Sequence, residues 1–289
     1  MGNAIPFSLR HMTPSHTWAM LQQSFFCGKP KWSDVPDLSG QVIIVTGGNA
    51  GIGMQTVKVL LQHNAKVYMA SRNPQKAAAA IEELYGSTGK LPVFLELDLA
   101  DLASVKSAAT EFLSKEKELH VLYNNGGIMA PPIEEAMPTG YDLTFATNVL
   151  GHFYLTKLLL PTLISTAHTT GAARIVTITS MVHYVATVDY TSFKDCPIRR
   201  NRTPFDMYAQ SKWADAVLAM ELGRRYGDQG IVSMSVNPGS LKTNISHSAT
   251  GTLTLLVVLI FPVAQLWAGT APETAQMNGK VLDFARKRK

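Results

Sequence analysis

The chain has 289 residues and a mass of 31.5 kDa, with 46% hydrophobic and 16% charged residues. That is enough apolar material for one well-buried α/β domain; it excludes a disordered chain and requires no second core. Much of the net charge of +5 sits in Arg199-Arg200-Asn201-Arg202 and the terminal Arg286-Lys287-Arg288-Lys289, short runs that read as a solvated loop and tail, so no nucleic-acid partner is expected.

Residues 1–38 read as an irregular extension, broken by Pro6, Pro14, Pro30 and Pro36 and lacking an apolar signal-peptide core. A single domain is expected from 39 to 289. Val42–Val45 predicts a buried strand and Met54–Gln62 the helix after it, with Val57, Leu60 and Leu61 at helical spacing. Lys66–Ala70 predicts a second strand, and Pro74 opens an Ala-rich helix to about Tyr85. Pro92–Leu97 and Leu102–Lys115 form the third strand and helix. Val121–Tyr123 is a fourth strand, followed by a long helix to about Leu160. A strand at Arg174–Ile178, a helix at Tyr208–Tyr226 and a sixth strand at Ile231–Val236 complete the pattern. Repeated βα units imply an α/β fold with one doubly wound parallel sheet, a Rossmann fold with helices on both faces.

The first strand runs into Thr46-Gly47-Gly48-Asn49-Ala50-Gly51-Ile52-Gly53 and then a helix. Glycine permits a tight turn and close approach of a pyrophosphate, and the helix start offers amide donors. The second strand ends Ala70-Ser71-Arg72-Asn73, with no carboxylate for the ribose 2′-hydroxyl of NAD. Arg72 instead suits the 2′-phosphate of NADP through a charge-assisted fork, although a plain surface arginine is the alternative. Asp98 suits the adenine amino group, the N-cap of the following helix, or both. Asn124-Asn125-Gly126-Gly127 forms a small turn that can border the adenosine.

Two segments carry a Tyr-x-x-x-Lys spacing. Tyr190 to Lys194 leads into Asp195, Cys196, Pro197 and an arginine-rich run, a loop composition. Tyr208 to Lys212 leads into Trp213-Ala214-Asp215-Ala216-Val217-Leu218-Ala219-Met220, a helical pattern that places both residues on one face. A phenol beside an ammonium makes a weak acid active near neutral pH. With the glycine turn, this pair points to hydride transfer on a carbonyl or an alcohol.

These segments, with Asn148, Ser180 and Asn237-Pro238-Gly239, resemble the short-chain dehydrogenase/reductase family over about residues 38–285. Ala70–Asn73 and Asn148-Val149-Leu150-Gly151-His152-Phe153 are similar to its retinol-dehydrogenase-like branch, including fungal members. The resemblance implies that Tyr208 exchanges the proton with the substrate oxygen. It implies that Lys212 acts on the phenol and bonds the nicotinamide ribose, that Ser180 holds the carbonyl oxygen, and that Asn148 supports a water linking Lys212 to solvent. Gly47, Asn49, Gly51, Ile52, Gly53, Arg72, Asp98, Asn124, Asn125, Tyr208, Lys212, Pro238, Gly239 and Thr243 are then the expected cofactor contacts, with NADP as cofactor and no metal. Bland readings remain for some of these: Ser180 as a strand end, Asn148 as the cap of a helix turn.

Three features depart from the family pattern. Gly126 stands where alanine is usual, which is expected to loosen packing. The stretch between Ser180 and Tyr208 is long, as in the retinol-type branch. The chain ends at Lys289, soon after Asn278-Gly279-Lys280, where relatives usually add a closing strand and helix.

Ser248–Pro272 contains no charged residue, and Leu253–Phe261 is almost wholly apolar. A membrane span needs roughly 20 apolar residues, and Thr252, Thr254, Pro262, Gln265 and Gly269 interrupt this one. A lipophilic substrate lid around 240–268 is expected instead, with a membrane surface within its reach. Cys27 and Cys196 form neither a disulfide framework nor a metal-ligand set, which fits a reducing, cytoplasmic location. The expected substrate is a lipophilic carbonyl or alcohol of retinoid, terpenoid, steroid or polyketide type, and self-association is compatible with the sequence. A non-catalytic dinucleotide-binding regulator and a membrane-anchored lipid reductase are the alternatives.

Overall fold

A computed structural model describes residues 35–137, 139–186, 188–238 and 262–283. Seven parallel strands form one sheet: β1 (Val42–Thr46), β2 (Lys66–Ser71), β3 (Val93–Glu96), β4 (Val121–Asn124), β5 (Ala173–Ile178), β6 (Ile231–Asn237) and β7 (Val281–Asp283). Their order across the sheet is β3-β2-β1-β4-β5-β6-β7. The longer helices are α1 (Gly51–Gln62), α2 (Pro74–Thr88), α3 (Leu102–Lys115), α4 (Gly151–Thr170), α6 (Pro204–Tyr226) and α7 (Pro262–Thr270), with the single turn α5 (Pro197–Arg200) before α6.

Side-chain parity along the strands makes two cores. Ile43 and Val45 of β1 join Val67 and Met69 of β2 on one face, against Val57 and Leu60 of α1, Leu84 of α2 and Leu266 of α7. Val42, Ile44 and Tyr68 project to the other face, against Phe112 of α3, Leu159 and Leu163 of α4 and Leu222 of α6. Strands buried on both sides read as continuous β-branched runs, which is why β1 is legible as Val-Ile-Ile-Val.

The order of connection reverses between β1 and β4, which are neighbours although β2 and β3 intervene in the chain. In open parallel sheets this reversal leaves a crevice at the carboxyl ends of the strands. The glycine turn after β1 and the Asn124–Gly127 turn after β4 both lie there.

Several expectations change. The helix expected to stop near Leu160 continues through Pro161 to Thr170. Pro161 and Lys157 are both exposed, so the carbonyl that loses its donor at the proline faces water. A closing strand does exist: β7 pairs with β6 from Ser235↔Val281 to Asn237↔Asp283. Residues 264–268, expected to belong to a lid, lie in a core helix. Pro262 opens α7, and Ala264, Gln265, Leu266 and Ala268 are buried, with the Gln265 amide bonded to Thr56 of α1. Leu253–Phe261 lies outside the described residues. Among the described residues, no helix is long and apolar enough to cross a membrane.

The arginine run is solvated at Arg200 but not at Arg199 and Arg202. Arg199 is 1% exposed, with Nε 3.0 Å from Asp142 Oδ2, Nη1 3.2 Å from Asp195 Oδ1 and Nη2 2.6 Å from the Glu135 carbonyl. Arg200 pairs with Asp195 and Arg202 with Asp189. The long stretch before α6 is thereby stapled to residues 135–142 by partners distant in sequence.

Candidate active site

The turn after β1 is built for close approach. Gly47 and Gly51 have φ of +65° and +53°. A Cβ on Gly53 would lie 2.3 Å from the Gly47 carbonyl oxygen and 2.6 Å from Asn125 Nδ2. Asn49 and Ile52 complete this turn and the start of α1. Ala50, the N-cap residue of α1, has no side chain to cap it, and the first turn holds no acidic residue. The leading amides are therefore available to an anion.

Thr46 ties this turn to the neighbouring one. Its Oγ1 accepts from the amides of Asn125 (2.9 Å) and Gly126 (2.8 Å), while Asn125 Nδ2 donates to the Thr46 carbonyl at 2.7 Å. A Cβ on Gly126 would sit 3.0 Å from Leu99 Cδ1 and 3.3 Å from both Gly47 N and Thr46 Oγ1. The glycine expected to loosen packing instead lets the two turns meet closely. Asn124 is buried, with its Nδ2 donating to Thr156 of α4, so its side chain points into the fold.

At the end of β2, Ser71 Oγ is buried without a hydrogen-bond partner among the described residues. Arg72 is exposed, and among the described residues it makes no hydrogen bond or ion pair. Asp98 accepts from the Ala100 amide at 2.9 Å, but the cap of α3 is Asp101, which accepts from Ala103. Asp98 lacks that role because the helix starts three residues further on.

On α6, Thr203 and Asp206 form a reciprocal capping box, and Tyr208 and Lys212 follow on one face. The Lys212 ammonium lies 5.9 Å from the centre of the Tyr208 ring. It is buried and donates to the Ile178 carbonyl at 2.8 Å and to Asp215 Oδ2 at 2.9 Å. Ser180 follows β5 and caps the short 3-10 segment Met181–Val185, whose Met181, Val182 and Val185 cluster with Tyr208 and Ala209. The second tyrosine–lysine pair is placed differently. Tyr190 is 73% exposed in a 3-10 turn, and Lys194 lies over the Tyr141 ring.

Asn148 lies inside a π-turn, Ala146–Leu150, continuous with α4, and caps nothing. Such turns are rare and recur at functional sites. Its Nδ2 donates to Ser211 Oγ (2.9 Å) and the Ile128 carbonyl (3.1 Å), and its Oδ1 accepts from the Ile128 amide. A Cβ on Gly127 would lie 3.0 Å from Asn148 Oδ1 and 3.8 Å from Lys212 Nζ, so these two polar groups flank that glycine. Pro238 is buried at the end of β6; Gly239 and Thr243 lie outside the described residues.

His152, named in the sequence but given no role there, joins the two halves. Its Nδ1 lies 2.8 Å from the Asn148 carbonyl, which can only accept, so Nδ1 carries the proton. Nε2 then accepts from the Thr46 hydroxyl at 2.8 Å. Burial holds the ring down to about 4, with the Lys212 charge adding to the effect. The unfolded chain protonates this ring near 6.5, so protons favour unfolding between about pH 6.5 and 4. The His152 contribution to stability is expected to fall by about 3 kcal/mol as pH drops through that window. Denaturant unfolding of the wild type and His152→Gln at stepped pH checks this; an equally steep acid loss in the variant would refute it.

A parallel sheet with a glycine turn at its switch point and a tyrosine–lysine helix beside it defines a nicotinamide-dinucleotide oxidoreductase. The short chain dehydrogenase family pattern matches residues 41–195. A short-chain dehydrogenase/reductase of Armillaria gallica is 48% identical over 275 residues, which span 92% of this chain and 89% of that one. Human retinol dehydrogenase 11 is 36% identical over 214 residues, 73% of this chain and 65% of its own. A crystal structure of an uncharacterized protein from Mycobacterium paratuberculosis, 31% identical, superposes with a TM-score of 0.68 over 84% of this chain and 81% of that one. The chain belongs to the short-chain dehydrogenase/reductase family.

Proposed function

We propose that the protein is an NADP-dependent reductase that interconverts a carbonyl and an alcohol on a lipophilic small molecule. The observation that carries this reading is the placement of Tyr208 and Lys212 on one helix face, beside the segment that follows Ser180. Tyr208 gives its phenolic proton to the substrate oxygen during reduction and takes it back during oxidation. Ser180 Oγ orients that oxygen, and its hydrogen bond strengthens as negative charge develops there. Lys212 places a fixed positive charge near the phenol and holds the nicotinamide ribose. Asn148, held by Ile128 and Ser211, supports a water that links Lys212 to solvent.

A bound nicotinamide supplies or receives the hydride. The residues present fit such a group. The uncapped start of α1 suits a pyrophosphate, with Gly47, Asn49, Gly51, Ile52 and Gly53 forming its turn. The Ser71 hydroxyl, without a partner among the described residues, and the exposed Arg72 suit a ribose 2′-phosphate. Asp98 and Asn125 border the adenosine, and Asn124 contributes main chain. Pro238, with Gly239 and Thr243, borders the nicotinamide.

The substrate reading draws on a relative named for retinol, a lipophilic alcohol. Retinoid-, terpenoid-, steroid- and polyketide-type carbonyls belong in the test panel. NADPH consumption over that panel tests the activity; no consumption with any carbonyl counts against it. Arg72→Ala is expected to weaken NADPH binding by roughly 10-fold or more while leaving NADH binding little changed, because only NADPH carries the phosphate. Fluorescence titration measures both affinities, and equal losses would rule out this role for Arg72.

A further inference from the structure

Lys212 does not face Tyr208 alone. Tyr208, Lys212 and Asp215 stand at i, i+4 and i+7 of α6, so the phenol, the ammonium and a carboxylate form a row on one helix face. Asp215 is 1% exposed; its Oδ2 accepts from Lys212, and its Oδ1 has no hydrogen-bond partner among the described residues. A buried carboxylate with a single partner is costly, and an asparagine there would accept the same bond with no charge to desolvate. We propose that Asp215 is a built-in counter-charge to Lys212, which orients the ammonium and limits how much of its positive field reaches Tyr208. This rests on the reading of Tyr208 as the proton donor.

The consequence concerns direction. Carbonyl reduction needs Tyr208 as the protonated phenol, whereas alcohol oxidation needs it as the phenolate. The ammonium field favours the phenolate, and an ionised Asp215 opposes that field at Tyr208, which favours the reductive direction. The bond to Asp215 and the bond to Ile178 use two of the three ammonium protons, leaving the third for the nicotinamide ribose.

Among the described residues, neutral His152 on α4 acts on Lys212, the 3-10 segment packed against Tyr208 carries His183 and Tyr184, and β5 and the π-turn offer the Ile178 carbonyl and the Asn148 amide. Burial pushes the Asp215 carboxyl up to about 6 against the pull of Lys212, so the counter-charge is present at neutral pH and lost in acid. The backbone positions of Tyr208 and Asp215 are about 10 Å apart along the helix. A unit charge at that distance, at the effective dielectric of a protein site, shifts a titration by about one pH unit.

The test is ultraviolet titration of phenolate absorbance in the full chain, with NADP⁺ present, taking each protein minus its Tyr208→Phe counterpart. Asp215→Asn is expected to move the Tyr208-dependent transition about one pH unit toward acid while leaving NADP⁺ affinity within a few-fold. An unmoved transition overturns the proposal. So does a shift toward alkali, because a purely structural residue would release Lys212 and weaken its field. If Asp215→Asn does not fold, Asp215→Ser is read by the same criteria. Turnover of Tyr208→Phe on the carbonyl panel separates the two levels: unimpaired turnover defeats the proton-donor reading, whereas lost turnover with an unmoved transition defeats the role of Asp215 alone.

Discussion

Tyr208→Phe is expected to bind NADPH as the unmodified protein does and to lose turnover by roughly 10²–10⁴-fold, the usual contribution of a positioned acid or base. The substitution removes a single oxygen. Tyr208 packs against the buried cluster of Val182, Val185 and Ala209, and phenylalanine keeps that apolar contact, so the fold should be unaffected. Because the lost interaction belongs to the transition state, kcat should fall with little change in KM. Tyr190→Phe is the matched control. It removes the same oxygen from a ring that is 73% exposed, and turnover should stay at the wild-type level. If Tyr190→Phe lost activity and Tyr208→Phe kept it, the proton would travel by another route.

Arg199→Met is the second large effect, and it acts on stability. The guanidinium is 1% exposed, and its partner Asp142 is buried with it. Removing one member leaves the other charge buried and uncompensated, at a cost of about 3–5 kcal/mol. Asp142 also accepts from the Phe145 amide at 2.8 Å, at the start of the helical stretch that carries Asn148. The loss should therefore reach the site as well as the fold. The double variant Arg199→Met/Asp142→Asn should recover part of the stability, since it leaves no uncompensated charge between the two positions and keeps an acceptor for the Phe145 amide. Chemical denaturation of the two single variants and the double variant measures the coupling, and simple additivity would show that the pair acts through something else.

Much of the sheet was legible because its strands are buried on both faces, and a run such as Val42–Thr46 has few other ways to be read. The third helix matched at both ends, Leu102 and Lys115, where Asp101 supplies a capping side chain. What escaped depends on partners far along the chain. Pro161 signals a stop, yet its exposed face lets α4 continue. β7 is three residues long and gains its identity from pairing with β6. Arg199 looks like its neighbours Arg200 and Arg202 in sequence, and only Asp142 and Glu135, distant in the chain, make it internal.

At the site, the glycine turn and the Tyr208–Lys212 pair could be read from local spacing. The burial and pairing of Asp215 could not, although its place at i+7 from Tyr208 was a usable signal. His152 was visible inside the segment beginning at Asn148, but its bond to Thr46 crosses between β1 and α4 and has no local trace.

Thr46 has a consequence for motion. One hydroxyl receives the amides of Asn125 and Gly126 and donates to His152, so β1, the turn after β4 and the helix carrying Asn148 end on a single oxygen. These pieces cannot open one at a time without orphaning a buried polar group in another. Their amides should exchange hydrogen with solvent as one cooperative unit, at a common and slow rate, joining the two turns and the helical stretch that carries Asn148 and His152 into a single mechanical part.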